Sequence, residues 1–320
     1  MANTVKLGVL LPTRHLIMTA PNPQNIKPII TMAREVEKAG LDSVWVGDSL
    51  TAKPRLEPLP ALAAVASNTE HVRLGTSVLL AALRHPVTLS HVLGTLDVIS
   101  GGRLIIGAGV GGVFNEDQRQ EWRNAGVDPK RRASRFEEVV DITKRLTAGE
   151  VVAYSGDHFQ LESLKVRPTA LQGKGVPFLM AAHWHSGSES QFARSARLGD
   201  GIISISDHPN EYRLLLDRIE WHAEQLGRDF AAMERTFYMT VNIATKKVHA
   251  EREANRFLQA YYGLNYWGDR WGPYGTSESV IERINQYVEN GAETIIVRFA
   301  AMEQESQLEL FLNKVVPAFL

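Results

Sequence analysis

Along the 320-residue chain, eight short runs rich in Val, Ile and Leu alternate with longer segments of helical periodicity, and this alternation narrows the fold more than any other feature. The runs cover residues 5–11, 43–47, 72–79, 103–109, 177–181, 201–206, 236–244 and 294–299. Near-continuous apolar strands are buried on both faces, as in parallel sheets covered by helices. Eight such units predict an α/β protein built as a closed (β/α)8 TIM barrel rather than an open doubly wound sheet. The length suits one barrel-sized domain over residues 1–320, and no linker, repeat or low-complexity tract divides it.

Glycines punctuate the units. A helix over 25–38 ends at Ala39-Gly40, where Gly40 suits a left-handed cap, and helix–Gly–strand junctions recur at Gly199 and Gly291. The segments 110–130, 149–176 and 261–277 are too long for turns and form insertions after strands 4 and 7. The second reads as a hairpin turning at Ser155-Gly156-Asp157. The third carries Tyr266, Trp267, Trp271 and Tyr274 among glycines, which suits an aromatic lid, ordinary packing or a dimer contact equally.

Gly107, Gly109 and Gly112 formally satisfy G-x-G-x-x-G, but a dinucleotide site requires a helix opening at once and an acid ending the next strand. Here a polar segment follows, with the next helix expected near Arg131, so the glycines read as an opening at the active end of a strand. With 35 basic and 36 acidic residues the chain is close to neutral, which argues against nucleic acid or an anionic membrane as partner and favours small molecules. The absence of cysteine excludes disulfides and thiolate metal sites, and His183 and His185 have no accompanying carboxylate set, so no metal is expected. No P-loop or Gly-x-Ser-x-Gly elbow is present, and the lack of a signal-like start or a membrane-length apolar run predicts a cytoplasmic protein.

Several segments together resemble the luciferase-like monooxygenase superfamily, whose barrels bind FMN or the deazaflavin F420. They include Gly40-Leu41-Asp42-Ser43-Val44-Trp45-Val46-Gly47-Asp48, Thr69 to Val78, Arg84-His85-Pro86-Val87, Leu96 to Arg103, Arg135-Phe136-Glu137-Glu138, Ala196 to Gly201 and Val315-Val316-Pro317. Their order and spacing span nearly the whole chain. The resemblance implies a flavin lying across the C-terminal strand ends, backed by a bulge with a non-proline cis peptide at Thr76-Ser77-Val78, most specifically Ser77–Val78. It places the ring between that bulge and the glycines Gly109, Gly111 and Gly112. A helix N-terminus after the fifth strand, at Gly187 and Ser188, would receive the phosphate end, although Ser188 equally suits a simple N-cap. Relatives carry a small, glycine-rich stretch where this chain has His183-Trp184-His185.

Candidate catalytic residues are Asp48, His15 and His183, at C-terminal strand ends; relatives often place a histidine where this chain has Ser49. Asp48 suits either substrate orientation or the capping of loop amides. Arg55 suits either a place at the mouth or a surface ion pair with Glu57. Arg298, inside the last strand, is costly to bury unless an anion or carboxylate meets it, so it joins Arg55 as a substrate or anion contact. The resulting expectation is an FMN-dependent monooxygenase using reduced FMN and oxygen, with a separate flavin reductase as partner and a homodimeric assembly. FMN is preferred because no basic cluster is evident for the acidic tail of F420. The alternatives are an F420-dependent hydride-transfer oxidoreductase, a non-catalytic flavin-binding barrel, and a barrel enzyme without flavin.

Overall fold

The computed structural model describes residues 5–263 and 268–320; Tyr266 and Trp267 of the expected lid lie outside them. Eight parallel strands close around one axis: β1 (Lys6–Leu10), β2 (Ser43–Val46), β3 (Arg73–Leu79), β4 (Leu104–Ala108), β5 (Phe178–Ala181), β6 (Gly201–Ile205), β7 (Glu234–Ile243) and β8 (Thr294–Phe299). Closure comes from β8, which pairs with β7 on one side and with β1 on the other, Lys6 standing opposite Thr294. The barrel expected from the alternation of runs is therefore the observed fold.

Period-two alternation separates two cores. Residues facing outward, such as Val9, Val44, Leu74, Ile106 and Val297, pack under the helices, while Leu10, Trp45, Ile105, Leu179, Ile203, Tyr238 and Ile296 fill the barrel interior. Trp45 is the largest member of the inner layer, and its indole N–H donates to Ser43 Oγ at 2.9 Å. A Cβ at Gly75 would strike the indole, so the bare backbone of β3 is what admits Trp45. At the N-terminal end of the barrel, Arg73 of β3 donates to both carboxylate oxygens of Glu234 on β7, at 3.1 and 2.8 Å, tying opposite strands together.

The helix Lys27–Lys38 buries Ile29, Met32, Ala33 and Val36, an i, i+3, i+4, i+7 stripe, and Gly40 behind it takes φ +75°. Gly291 also has positive φ. Gly199 does not: it is extended at φ −76°, and it is required for space, since a Cβ there would lie 2.7 Å from the Gly201 carbonyl and 2.8 Å from that of Ser195. A helix unforeseen in the sequence, Glu116–Asn124, opens soon after Gly112, capped by Asn115, whose side chain accepts from the Gln118 amide. The following helix, Arg132–Thr147, and the hairpin Val152–Ser155 with Gln160–Leu164 stand where they were expected. Among the described residues no helix is long and apolar enough to cross a membrane.

Candidate active site

The C-terminal end of the barrel opens into a cavity of about 200 Å³. Leu10, Val78, Ala181, Ile203 and Ile205 form an apolar floor over the interior layer, and Arg55, Ser77, His183, Ser204, Tyr238, Tyr261 and Tyr262 complete the lining. An apolar recess with a few converging polar groups, at the C-terminal face of such a barrel, is where ligands of this architecture bind.

One wall is an irregularity in β3. Pairing with β4 loses register between Thr76 and Leu79, and the Ser77–Val78 peptide is cis. Two glycines of the β4 segment seat this bulge. A Cβ at Gly107 would collide with the Thr76 carbonyl, and one at Gly109 would stand 2.8 Å from Val78 Cγ2. In return Thr76 Oγ1 donates to the Gly107 carbonyl at 2.8 Å, and the Gly109 amide donates to the Leu79 carbonyl at 3.0 Å. Gly111 and Gly112 have other neighbours: their open sides face Trp122 and Phe114, and neither lines the cavity.

Of the three candidate catalytic residues, His183 alone borders the cavity. Burial lowers its pKa, opposed by Asp207 and by a hydrogen bond to the Ile205 backbone, so the imidazole is neutral. The buried Nδ1 has no partner among the described residues; Ser77 Oγ is in the same condition. Asp48 is sealed in an ion pair: Oδ2 accepts from Arg84 Nη1 at 2.6 Å and from the Leu80 amide at 2.9 Å, and the side chain is 3% exposed. Arg84 also holds Glu57, which caps the helix Pro58–Ala66 through the Leu59 amide. Glu57 is thereby engaged away from Arg55. His15 borders a separate cleft with Met302 and Glu303, its ring 6.0 Å from that of Phe257. Ser49, in place of the histidine common in relatives, donates to the buried Glu121, which also accepts from the amides of Thr51 and Ala52.

After β5 the chain turns tightly. Asp207 accepts from the amides of Trp184 and His185 at 2.8 and 3.0 Å, and a Cβ at Gly187 would strike the His183 carbonyl. Ser188 takes the N-cap position of the helix Glu189–Leu198, yet its hydroxyl makes no capping bond and pairs with Ser190 Oγ at 3.0 Å. The first amides of that helix are thus not met by the serine side chain.

Arg298 is 3% exposed and meets no carboxylate among the described residues. Its guanidinium donates to Tyr262 Oη and to Thr240 Oγ1, and lies 4.6 Å from the Trp271 ring centre. Arg14 lies 4.4 Å over Tyr261 and Lys53 4.6 Å over Tyr262. Burial lowers the pKa of both Arg14 and Lys53, and the neighbouring cations Arg55 and Arg298 push the same way. Tyr262 responds inversely: burial raises its pKa, but Arg298, Lys53 and Arg55 outweigh that and leave it below the usual phenol value. A basic cluster therefore does exist, contrary to the expectation from sequence, because it is assembled in space from the loops after β1 and β2 and from β8.

Arg14, Lys53, Ser204, Tyr238, Tyr261 and Tyr262 were not singled out from the sequence. The tyrosines sit in or at the end of ordinary apolar runs and carry no local mark. The cations had one: Arg14 and Lys53-Pro54-Arg55 follow predicted strands, on the side of the barrel where ligands bind. Among the described residues no group of three or more His, Cys, Asp or Glu is placed to hold a metal.

The model of the luciferase-like monooxygenase family matches residues 5–271. An F420-dependent glucose-6-phosphate dehydrogenase of Beutenbergia cavernae is 29% identical over 88% of this chain and 90% of its own length. Among solved structures, monooxygenase RslO1 from Streptomyces bottropensis superposes with a TM-score of 0.81 at 20% identity, covering 98% of this chain and 100% of its own. An F420-dependent secondary alcohol dehydrogenase, bound to an F420–acetone adduct, does so with a TM-score of 0.78 at 17% identity, covering 99% of both chains.

Proposed function

The chain belongs to the luciferase-like monooxygenase family, and on that premise we propose that it is an oxidoreductase whose cofactor is the deazaflavin F420 and whose reaction is hydride transfer. The observation that carries the reading is the mouth cavity itself. It is an apolar recess backed by the β3 bulge, with two unpartnered buried polar atoms, Ser77 Oγ and His183 Nδ1, at its edge. These features fit a flat heteroaromatic ring, which needs apolar faces and hydrogen bonds only at its rim.

F420 is preferred to FMN because the relative matched along nine-tenths of its length is named for F420. When bound, the deazaflavin supplies a two-electron hydride donor or acceptor. The chain's own part is to bind and orient. Val78, Ala181, Ile203 and Ile205 exclude water, while Ser77 Oγ and the neutral His183 Nδ1 offer hydrogen bonds at fixed positions. A neutral imidazole keeps one basic nitrogen, so His183 also has the chemistry to take a proton from a substrate hydroxyl.

Titration of the purified protein with F420 and with FMN, each oxidised and reduced, tests the assignment by fluorescence and absorbance. Micromolar binding of F420 and weaker binding of FMN is expected. Preferential binding of reduced FMN would restore the oxygen-dependent monooxygenase with its flavin reductase, and binding of neither would remove flavin chemistry altogether.

A further inference from the structure

We infer that the β8–β1–β2 side of the mouth is a receptor for an oxyanion carried by the substrate, a phosphate or carboxylate, held by Arg14, Lys53, Arg55 and Arg298. The inference deepens the proposed function, on which it rests only in calling the ligand a substrate.

Four cations converge here, and none forms an ion pair with any carboxylate among the described residues. Other part-buried arginines have their donors met, Arg73 by Glu234, Arg84 by Asp48 and Arg103 by the carbonyls of Ala66, Thr69, Val72 and Ser100. Aromatic rings around the cluster offset part of the desolvation, but they do not satisfy N–H groups. Nε and Nη1 of Arg14 and Nε of Arg298 remain buried without an acceptor. Unmet donors on charged side chains are among the most costly buried groups, and an anion with several oxygens relieves several at once. Arg55 brings the cluster to the cavity: its guanidinium lies across Gly47, where a Cβ would displace it, and it lines the recess together with Tyr261 and Tyr262.

The sector also matters. In the closed strand order β5 stands opposite β1, so the Gly187–Ser188 turn lies across the mouth from this cluster. A cofactor with its phosphate end at that turn would leave the cations free for a second ligand.

Inorganic phosphate is the probe, with acetate as the carboxylate probe and chloride at matched ionic strength as the control. Thermal melting and tyrosine fluorescence of the cofactor-free protein are expected to respond saturably to phosphate or acetate and not to chloride. Arg55→Met, and separately Lys53→Met, should weaken that response at least tenfold, and Lys53→Met, whose side chain lies outside the cavity lining, should change the affinity for F420 less than twofold. Because these two residues are only partly buried, they also cover the case in which Arg298→Met fails to fold. If wild-type protein responds to neither probe beyond chloride, the receptor does not exist. If instead Lys53→Met loses F420 and the probe together, the cluster serves the cofactor's own acidic tail, and the assignment to substrate is overturned. Failure of F420 to bind wild-type protein would remove the proposed function but leave the probe response to decide this site.

Discussion

Asp48 and His183 show how the same position type, a polar residue at a strand end, resolves into different roles. Asp48 is neutralised by Arg84, so its contribution is to stability, and Arg84→Met would strand a buried carboxylate. Breaking such a pair costs about 3–5 kcal/mol, and the low end is expected here because Arg84 is partly exposed. Urea denaturation of the variant checks the magnitude. His183 and His15 are both partly buried with pKa values lowered by desolvation, so between their folded values and the ordinary value of about 6.5 the unfolded chain binds more protons than the folded one. Their contribution is therefore intact above about pH 6.5 and is lost as pH falls below it. Denaturation midpoints should drop between pH 7.5 and 5.5, and His183→Gln should drop less than wild type. An equal drop in both would show that His183 does not take part.

Among the elements, β3 is the one whose irregularity makes the site. Gly107→Ala forces a methyl against the Thr76 carbonyl, so it should destabilise the protein by about 1–3 kcal/mol, as overpacking does, and weaken ligand binding at the bulge. Gly109→Ala meets side-chain carbons rather than backbone, Val78 Cγ2 at 2.8 Å and Ala181 Cβ at 3.4 Å, and should fold while binding cofactor less well, which a melting curve beside a cofactor titration would separate. Elements of this kind divide what is legible in the sequence from what is not. The eight strands were legible because burial on both faces gives most of them short runs in which apolar residues predominate. The helix Glu116–Asn124 was not, since EDQRQEWRN buries only Glu121 and Trp122 and has no apolar stripe. The Ser77–Val78 bulge was reached through family resemblance rather than periodicity. Ser77, Val78, Arg55 and His183 were named beforehand and do meet at the cavity. The tyrosines and Arg14 escaped notice because their proximity depends on how β7, β1 and β8 curve together, a relation that no local window contains.

At the scale of the molecule, the barrel is organised along its axis. The N-terminal end is closed by an internally balanced pair, Arg73 with Glu234, while at the mouth Arg14, Lys53, Arg55 and Arg298 stand without a carboxylate partner among the described residues, although the chain as a whole carries a formal charge of only −1. The closure of the sheet by β1 on β8 has a consequence for synthesis. A ribosome must deliver almost the entire chain, through Phe299, before the first strand acquires its second neighbour. Until then the nascent sheet presents two raw hydrogen-bonding borders, the kind of surface that recruits other chains. A version ending at residue 292 should therefore accumulate in inclusion bodies or on chaperones during expression, whereas removal of the last few residues, beyond Val316, should leave it dispersed. A soluble, monomeric 1–292 fragment would show that the unfinished cylinder can protect its own margins.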